Sequence, residues 1–186
     1  MRVGPTLKKL REQFPDQLRL AVKQHPLPFH NQARLAARAT LAAHEQGKFW
    51  EYQDRLLVQG ARLDRDGLIA TARELGLDVA RFTTAIDSDH FDAQIDVDAA
   101  EAMAIGANGT PATFINGKRV DGAQPYPNFE YEVRVALGEK PPRPSPPPAR
   151  PSGPDPNKRY PLEIGQAPVI GPSNAQVTAI AFLDYQ

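Results

Sequence analysis

The sequence predicts an α/β fold whose strands lie toward the two ends of the chain and whose middle is helical. Three observations predict it. Residues 176–183 (QVTAIAFL), rich in β-branched and apolar side chains, read as the centre of a sheet and stand at the carboxy end. Ala112–Ile115 and Lys118–Asp121 flank Asn116-Gly117, the pair most compatible with a tight type I′ hairpin turn. Between Asn31 and Gly106 the apolar spacing is helical almost throughout.

The remaining elements follow in order. Val3, Leu7, Leu10 and Phe14 share one face of a helix that ends at Pro15-Asp16. Residues 18–23 (LRLAVK) set Leu18, Leu20 and Val22 against the polar Arg19 and Lys23, which predicts a strand. His25-Pro-Leu-Pro-Phe-His30 is a turn-rich connection, because its prolines remove amide donors and extend their predecessors. Breaks near Gly47, Gln59-Gly60, Gly76 and Asp87-Ser88 then divide the middle into four or five helices. Asp64 is the expected N-cap of one of them, with Gly76 past its end, and Asp78 restarts the next through Val79, Phe82 and Ile86. The alanines of residues 33–43 permit close helix approach, and Phe49, Trp50, Tyr52 and Leu56 add bulk, so the region reads as a helical lid with its own small core. Pro127 suits the first turn of a last helix that runs to Leu137 and stops at Gly138. Residues 141–156 hold nine prolines and read as an extended linker, although Pro-Arg-Pro-Ser-Pro-Pro-Pro also contains the PxxP pattern of SH3-type ligands.

Composition excludes several function classes. Lysine plus arginine balance aspartate plus glutamate at 22 each, so no net field draws the chain to nucleic acid or an anionic membrane. The apolar runs are far shorter than the roughly 20 residues needed to span a bilayer. The amino terminus lacks the apolar stretch of a secretory signal, which assigns the chain as given to the cytoplasm. Zero cysteines remove disulfides, thiolate metal sites and thiol nucleophiles together. No metal or cofactor is expected. His25 with His30, or Asp92, Asp96 and Asp98, lack ligand spacing, and the acids fit a solvated helix face.

A strand suited to a sheet centre at the extreme carboxy end, and a core helix at the extreme amino end, are out of order for a βα unit. Phe182-Leu-Asp-Tyr-Gln186 resembles the segment just before the first cysteine of the DsbA-like thioredoxin-fold oxidoreductases, and Arg2-Val-Gly-Pro-Thr-Leu-Lys-Lys-Leu10 the segment just after the second. The resemblance continues in order through His25-Pro-Leu-Pro-Phe-His30, Gly47-Lys-Phe-Trp-Glu-Tyr52, Ala107-Asn-Gly-Thr-Pro111 with Phe114-Ile-Asn-Gly117, and Gly165-Gln-Ala-Pro-Val-Ile-Gly-Pro172. It implies a thioredoxin fold with an inserted helical domain, circularly permuted so that the central strand before the CxxC position is carboxy-terminal. Residues 1–138 would hold the helix, strand, insertion (about 31–106), hairpin and last helix. Residues 139–159 would be the linker, and 160–186 the permuted amino-terminal strands of the same fold. At about 3.1 Å per residue such a linker reaches about 60 Å, more than the roughly 40 Å breadth of a domain this size.

The resemblance also implies site residues. Thr110 and Pro111 inherit the family's cis-proline step, which binds extended substrate backbone, while Tyr185, Gln186, Met1 and Arg2 flank the vacated active site. Ala181 stands where many relatives have a buried glutamate that helps move protons to and from the buried cysteine. Without the two thiols the chain as given is expected to be redox-inactive. The expected partner is extended peptide or unfolded protein held in a retained groove, with no nucleic acid and no membrane. Two alternatives stay open. In one, the chain is a unit of a tandem or permuted disulfide oxidoreductase whose CxxC follows Gln186, a family setting that points to an extracytoplasmic parent. In the other, it is a holdase-like peptide-binding module.

Overall fold

The computed structural model describes residues 3–58, 60–144 and 158–185. Met1, Arg2 and Gln186, and most of the segment expected to be a proline-rich linker, lie outside these residues. The elements in chain order are α1 (Val3–Gln13), β1 (Leu18–Gln24), α2 (Ala33–His44), α3 (Phe49–Leu56), α4 (Arg65–Glu74), α5 (Val79–Asp87), α6 (Asp92–Ala104), β2 (Ala112–Ile115), β3 (Lys118–Asp121), α7 (Tyr126–Ala136), β4 (Val169–Ile170) and β5 (Val177–Leu183). They divide into two compact units. One contains residues 3–22 and the described part of 111–182; the other contains the described part of 23–110 together with 183–185.

The first unit is built on a five-stranded mixed sheet of order β3-β2-β5-β1-β4. The last strand of the chain thus occupies the centre. β2 pairs antiparallel with β3 from Ala112↔Asp121 to Ile115↔Lys118, and antiparallel with β5 from Ala112↔Phe182 to Ile115↔Ala179. β1 and β5 run parallel, since Val177 N–H donates to Gln17 O at one end and His25 N–H to Leu183 O at the other. The two-residue turn between β2 and β3 needs left-handed backbone at both positions, and Asn116 (φ 44°) and Gly117 (φ 76°) supply it. α1 buries Val3, Leu7 and Leu10 and packs against α7, whose Phe129 and Val133 are also buried. Phe114 meets Phe182 and Tyr160 edge-on, at centroid distances of 5.9 and 5.3 Å.

The second unit is helical. α2 is its hub, in contact with α3, α4, α5 and α6, and its six buried alanines let those neighbours come close on several sides. Around it Tyr52 and Phe82 bring their rings to 5.4 Å, and the buried Tyr52 hydroxyl donates to Leu68 O at 2.9 Å. Asp64 and Asp78 cap α4 and α5, accepting from Gly67 N at 2.7 Å and Arg81 N at 3.0 Å as the sequence predicts. Tyr52 is core, in line with the packing expected of the Trp50–Tyr52 region. Among the described residues no helix is long and apolar enough to cross a membrane.

Two side chains depart from their expected setting. Lys23, expected on a solvated strand face, is 4% exposed, and Asp98, expected on a solvated helix face, is 5% exposed. Lys23 can be buried because its ammonium pairs with Glu101, and Asp98 because its carboxyl accepts from Gln24 N–H; the two side chains lie 3.9 Å apart.

Candidate functional site

The carboxy ends of β1 and β5 turn polar directly after two runs of apolar strand. Five of these polar side chains are fully or nearly fully buried: Lys23, Gln24, His25, Asp184 and Tyr185. Asp184 Oδ2 accepts from Leu27 N–H at 3.1 Å and pairs with His30 Nδ1 at 2.6 Å, which pins the turn-rich connection after β1 to the residue that follows β5. Asp184 Oδ1 is buried with no hydrogen-bond partner among the described residues, as are both ring nitrogens of His25 and both side-chain polar atoms of Gln24. Burial pushes the His25 imidazole below its ordinary value, against the opposing influence of the Ala107 backbone and the Asp184 charge; Ala107 lies near without completing a hydrogen bond. The Tyr185 hydroxyl donates to Gln53 Oε1 at 3.2 Å, and burial drives its pKa upward.

Beside this group lies a buried charge cluster. The Lys23 ammonium pairs with Glu101 and lies 3.9 Å from Asp98 Oδ1, while Asp98 Oδ2 accepts from Gln24 N–H at 2.9 Å. Burial raises Asp98 to about 6, outweighing the amide of Gln24 and the charge of Lys23, which favour ionisation. A carboxyl whose folded pKa exceeds its ordinary 3.8 binds its proton more tightly in the native state. Its contribution to stability is therefore complete below about pH 4 and is lost as pH rises through about 6. Asp98→Asn, which keeps an acceptor for Gln24 N–H and cannot ionise, is expected to raise neutral-pH stability by about 2 kcal/mol. Urea unfolding of both proteins at pH 4 and pH 7.5 checks this: the two midpoints should converge at pH 4 and separate at pH 7.5.

The other acids set aside as metal ligands are engaged in ion pairs. Asp92 binds Arg38 at 2.6 Å and Arg34 at 3.2 Å, and Asp96 binds Arg34 at 2.8 Å. Among the described residues no group of three or more His, Asp or Glu side chains is placed to hold a metal ion.

Thr110 ends the loop before β2, half-buried, and Pro111 is buried with its carbonyl accepting from Gly122 N–H at 2.9 Å. The main-chain N–H and C=O of Thr110 make no hydrogen bond among the described residues. Of the four expected flanking residues only Tyr185 is described, and it is fully enclosed; Met1, Arg2 and Gln186 fall outside. The sequence reading missed Asp184, Lys23 and Gln24. The available signal was polar residues continuing straight on from two strands whose preceding residues are apolar.

Comparison with known proteins agrees with this architecture. The family model of the DSBA-like thioredoxin domain matches residues 6–134. Among curated relatives, a Na(+)/H(+) antiporter NhaA of Herminiimonas arsenicoxydans is 42% identical over 114 residues, covering 61% of this chain and 18% of that protein. NhaA 3 of Salinispora tropica is 40% identical over 99 residues, covering 52% of this chain and 15% of its own length. NhaA of Nitrosospira multiformis is 29% identical over 131 residues, with 70% and 21% covered. The chain spans about a fifth of the length of these relatives. A family-model match over more than half the chain fixes its membership: this chain belongs to the DSBA-like thioredoxin domain family.

Proposed function

We propose that this is a DsbA-like thioredoxin domain without thiol chemistry of its own, which holds extended peptide at the Thr110–Pro111 step. The observation that carries the reading is the pairing of a cysteine-free sequence with a Thr110 main-chain donor and acceptor that have no partner among the described residues. Thiol–disulfide exchange needs a thiolate to attack and a second thiol to resolve the mixed disulfide, and neither sulfur exists. An extended peptide needs only main-chain partners, and the N–H and C=O of the half-buried Thr110 are of the kind that offer both. In this reading Thr110–Pro111 keeps the family's cis arrangement.

Two measurements test it. Insulin reduction by the purified chain is expected to run at the uncatalysed rate, and any acceleration above that control would sink the redox-inactive half. Adding reduced, carboxymethylated α-lactalbumin as an unfolded probe is expected to shift the Thr110 amide resonance; an unmoved resonance at millimolar probe would sink the binding half.

We further propose that the chain order is the family's order cut at the CxxC position, with the proline-rich linker joining the family's ends. The central position of β5 supports this, because a strand that comes last lies between two strands that come earlier. A rearranged chain running from residue 158 to 186, through a Cys-Pro-Tyr-Cys insert, and on from residue 2 to 144 is expected to gain insulin reductase activity. A folded but inactive product would speak against the permutation.

A second reading is favoured by the small share of each relative that this chain matches. Here the chain is one unit of a longer oxidoreductase, and a Cys-x-x-Cys directly after Gln186 in the parent gene distinguishes it from the first. The relatives are named for antiport. Because the described residues contain no helix able to cross a membrane, we read the shared fifth as an appended thioredoxin-type domain and not as ion-transporting structure.

A further inference from the structure

The sheet unit contains a cleft that neither the absent thiols nor Thr110 accounts for. Its roof is the irregular segment of residues 160–165. That segment leaves the hairpin side of the sheet, where Tyr160 N–H donates to Gly117 O at 3.0 Å and Arg159 bridges Lys118. It reaches the opposite edge where Pro168 O accepts from Val22 N–H at 3.1 Å and β4 pairs with β1. Since β3 and β4 stand at opposite ends of the strand order, the segment crosses one whole face of the sheet. Beneath and beside it is a cleft of about 570 Å³. That volume lies within the roughly 300–1,000 Å³ range of small-molecule sites.

Its walls have two characters. Phe114, Ile180, Tyr160, Leu162 and Ile164 are apolar or aromatic. Arg19 is the cation of the lining. Its Nε donates to Thr178 Oγ1 at 2.7 Å and one terminal nitrogen to Ser173 O at 3.2 Å, which fixes the guanidinium in place. Among the described residues Arg19 forms no ion pair with any carboxylate, whereas most other arginines of the chain do. A half-buried guanidinium that is oriented by neutral acceptors and left without a counter-ion has an unused charge and remaining donors.

We propose that this cleft binds a small carboxylate carrying an apolar body, with the carboxylate on Arg19 and the body against Phe114, Ile180 and Leu162. A carboxylate matches the single fixed guanidinium, and the aliphatic and aromatic walls match a chain or ring. The exposed Glu163 also lines the cleft, so its charge opposes the ligand and tunes affinity downward.

Isothermal titration and amide-shift mapping with octanoate, below its micelle concentration, against 1-octanol as the uncharged counterpart test the proposal. Octanoate is expected to bind the wild-type chain at least ten-fold more tightly than octanol and to shift the amides of Arg19, Thr178 and Ile180. Arg19→Gln is expected to reduce octanoate affinity about ten-fold while leaving octanol binding unchanged, and Glu163→Gln to tighten octanoate about two- to five-fold. Equal binding of acid and alcohol, shifts confined to residues outside the cleft, or no binding of octanoate at millimolar concentration would each overturn it. The acid–alcohol comparison on the unmutated chain stands even if Arg19→Gln fails to fold. The outcome is independent of peptide binding at Thr110, which is read by a different probe and a different resonance.

Discussion

Phe182→Ala is expected to lower stability by about 3–5 kcal/mol, the range for deleting a fully buried aromatic side chain. Phe182 is 0% exposed, sits in the central strand β5 and pairs across the sheet with Ala112. Alanine opposite alanine would leave no side chain large enough to fill the space vacated. The edge-on contact with Phe114 would also be lost, and Phe114 in turn steadies Tyr160 at the start of the segment that roofs the cleft. The transfer term and the cavity term therefore act together, with a further loss in a neighbour that is not itself mutated. For a chain of this size the melting temperature should fall by about 10 °C. Phe182→Leu, which keeps most of the volume, is expected to cost about 1 kcal/mol. Urea midpoints for the three proteins give the comparison. A loss below about 1 kcal/mol for the alanine variant would mean that β5 contributes little to the sheet, and the central placement of the last strand would no longer explain the fold.

Much of this architecture could be read from local chemistry. The hairpin was legible because Asn116-Gly117 carries its turn geometry in two adjacent residues, and α4 and α5 because Asp64 and Asp78 cap amides three residues away. The centrality of β5 was legible from its run of β-branched and apolar residues. What stayed hidden depends on partners distant in sequence. Lys23 reads as the solvated end of an amphipathic strand, and it is its pairing with Glu101, far along the chain in α6, that makes its burial possible. Asp98 also interrupts the apolar face of α6, where it stands buried between Ile95 and Ala102. Val97 and Met103 turn outward, 66% and 59% exposed, while Asp98 turns inward, so the helix presents its charge where periodicity would place an apolar side chain. The polar group around Asp184 escaped for a related reason. Asp184, His25 and His30 each have a local explanation as loop or strand-end residues, and only the parallel pairing of β1 with β5 brings their carboxy ends together. The proposal of Thr110 and Pro111 rests on resemblance, since nothing in their immediate sequence points to a binding step.

The second large effect is expected at Gly171. Its φ is +106°, a conformation that side-chain-bearing L residues rarely adopt. An added Cβ would also lie 2.4 Å from Leu18 O and 2.9 Å from Arg19 Cα. Both obstacles are main chain, so no rotamer change relieves the clash. The strand β4 ends at Ile170, paired with Leu20, and Gly171 is the residue that lets the chain leave the sheet against the backbone of β1. Gly171→Ala is therefore expected to cost about 3–4 kcal/mol, combining backbone strain with overpacking. Gly138→Ala separates the two contributions: its φ is +85° with nothing within 4 Å of where the methyl would stand, so it should cost only about 1 kcal/mol. Chemical denaturation of both variants tests the difference, and equal losses would show that close approach to β1 is not the dominant constraint. A protein that tolerated Gly171→Ala would have to part residue 171 from β1 at Leu18 and Arg19, and the expected adjustment includes β1. That movement would pull the Arg19 guanidinium away from Thr178 and Ser173, so any folded Gly171→Ala protein should also bind octanoate more weakly than wild type. Stability and ligand affinity should fall together there, whereas Gly138→Ala should lower stability and leave affinity unchanged.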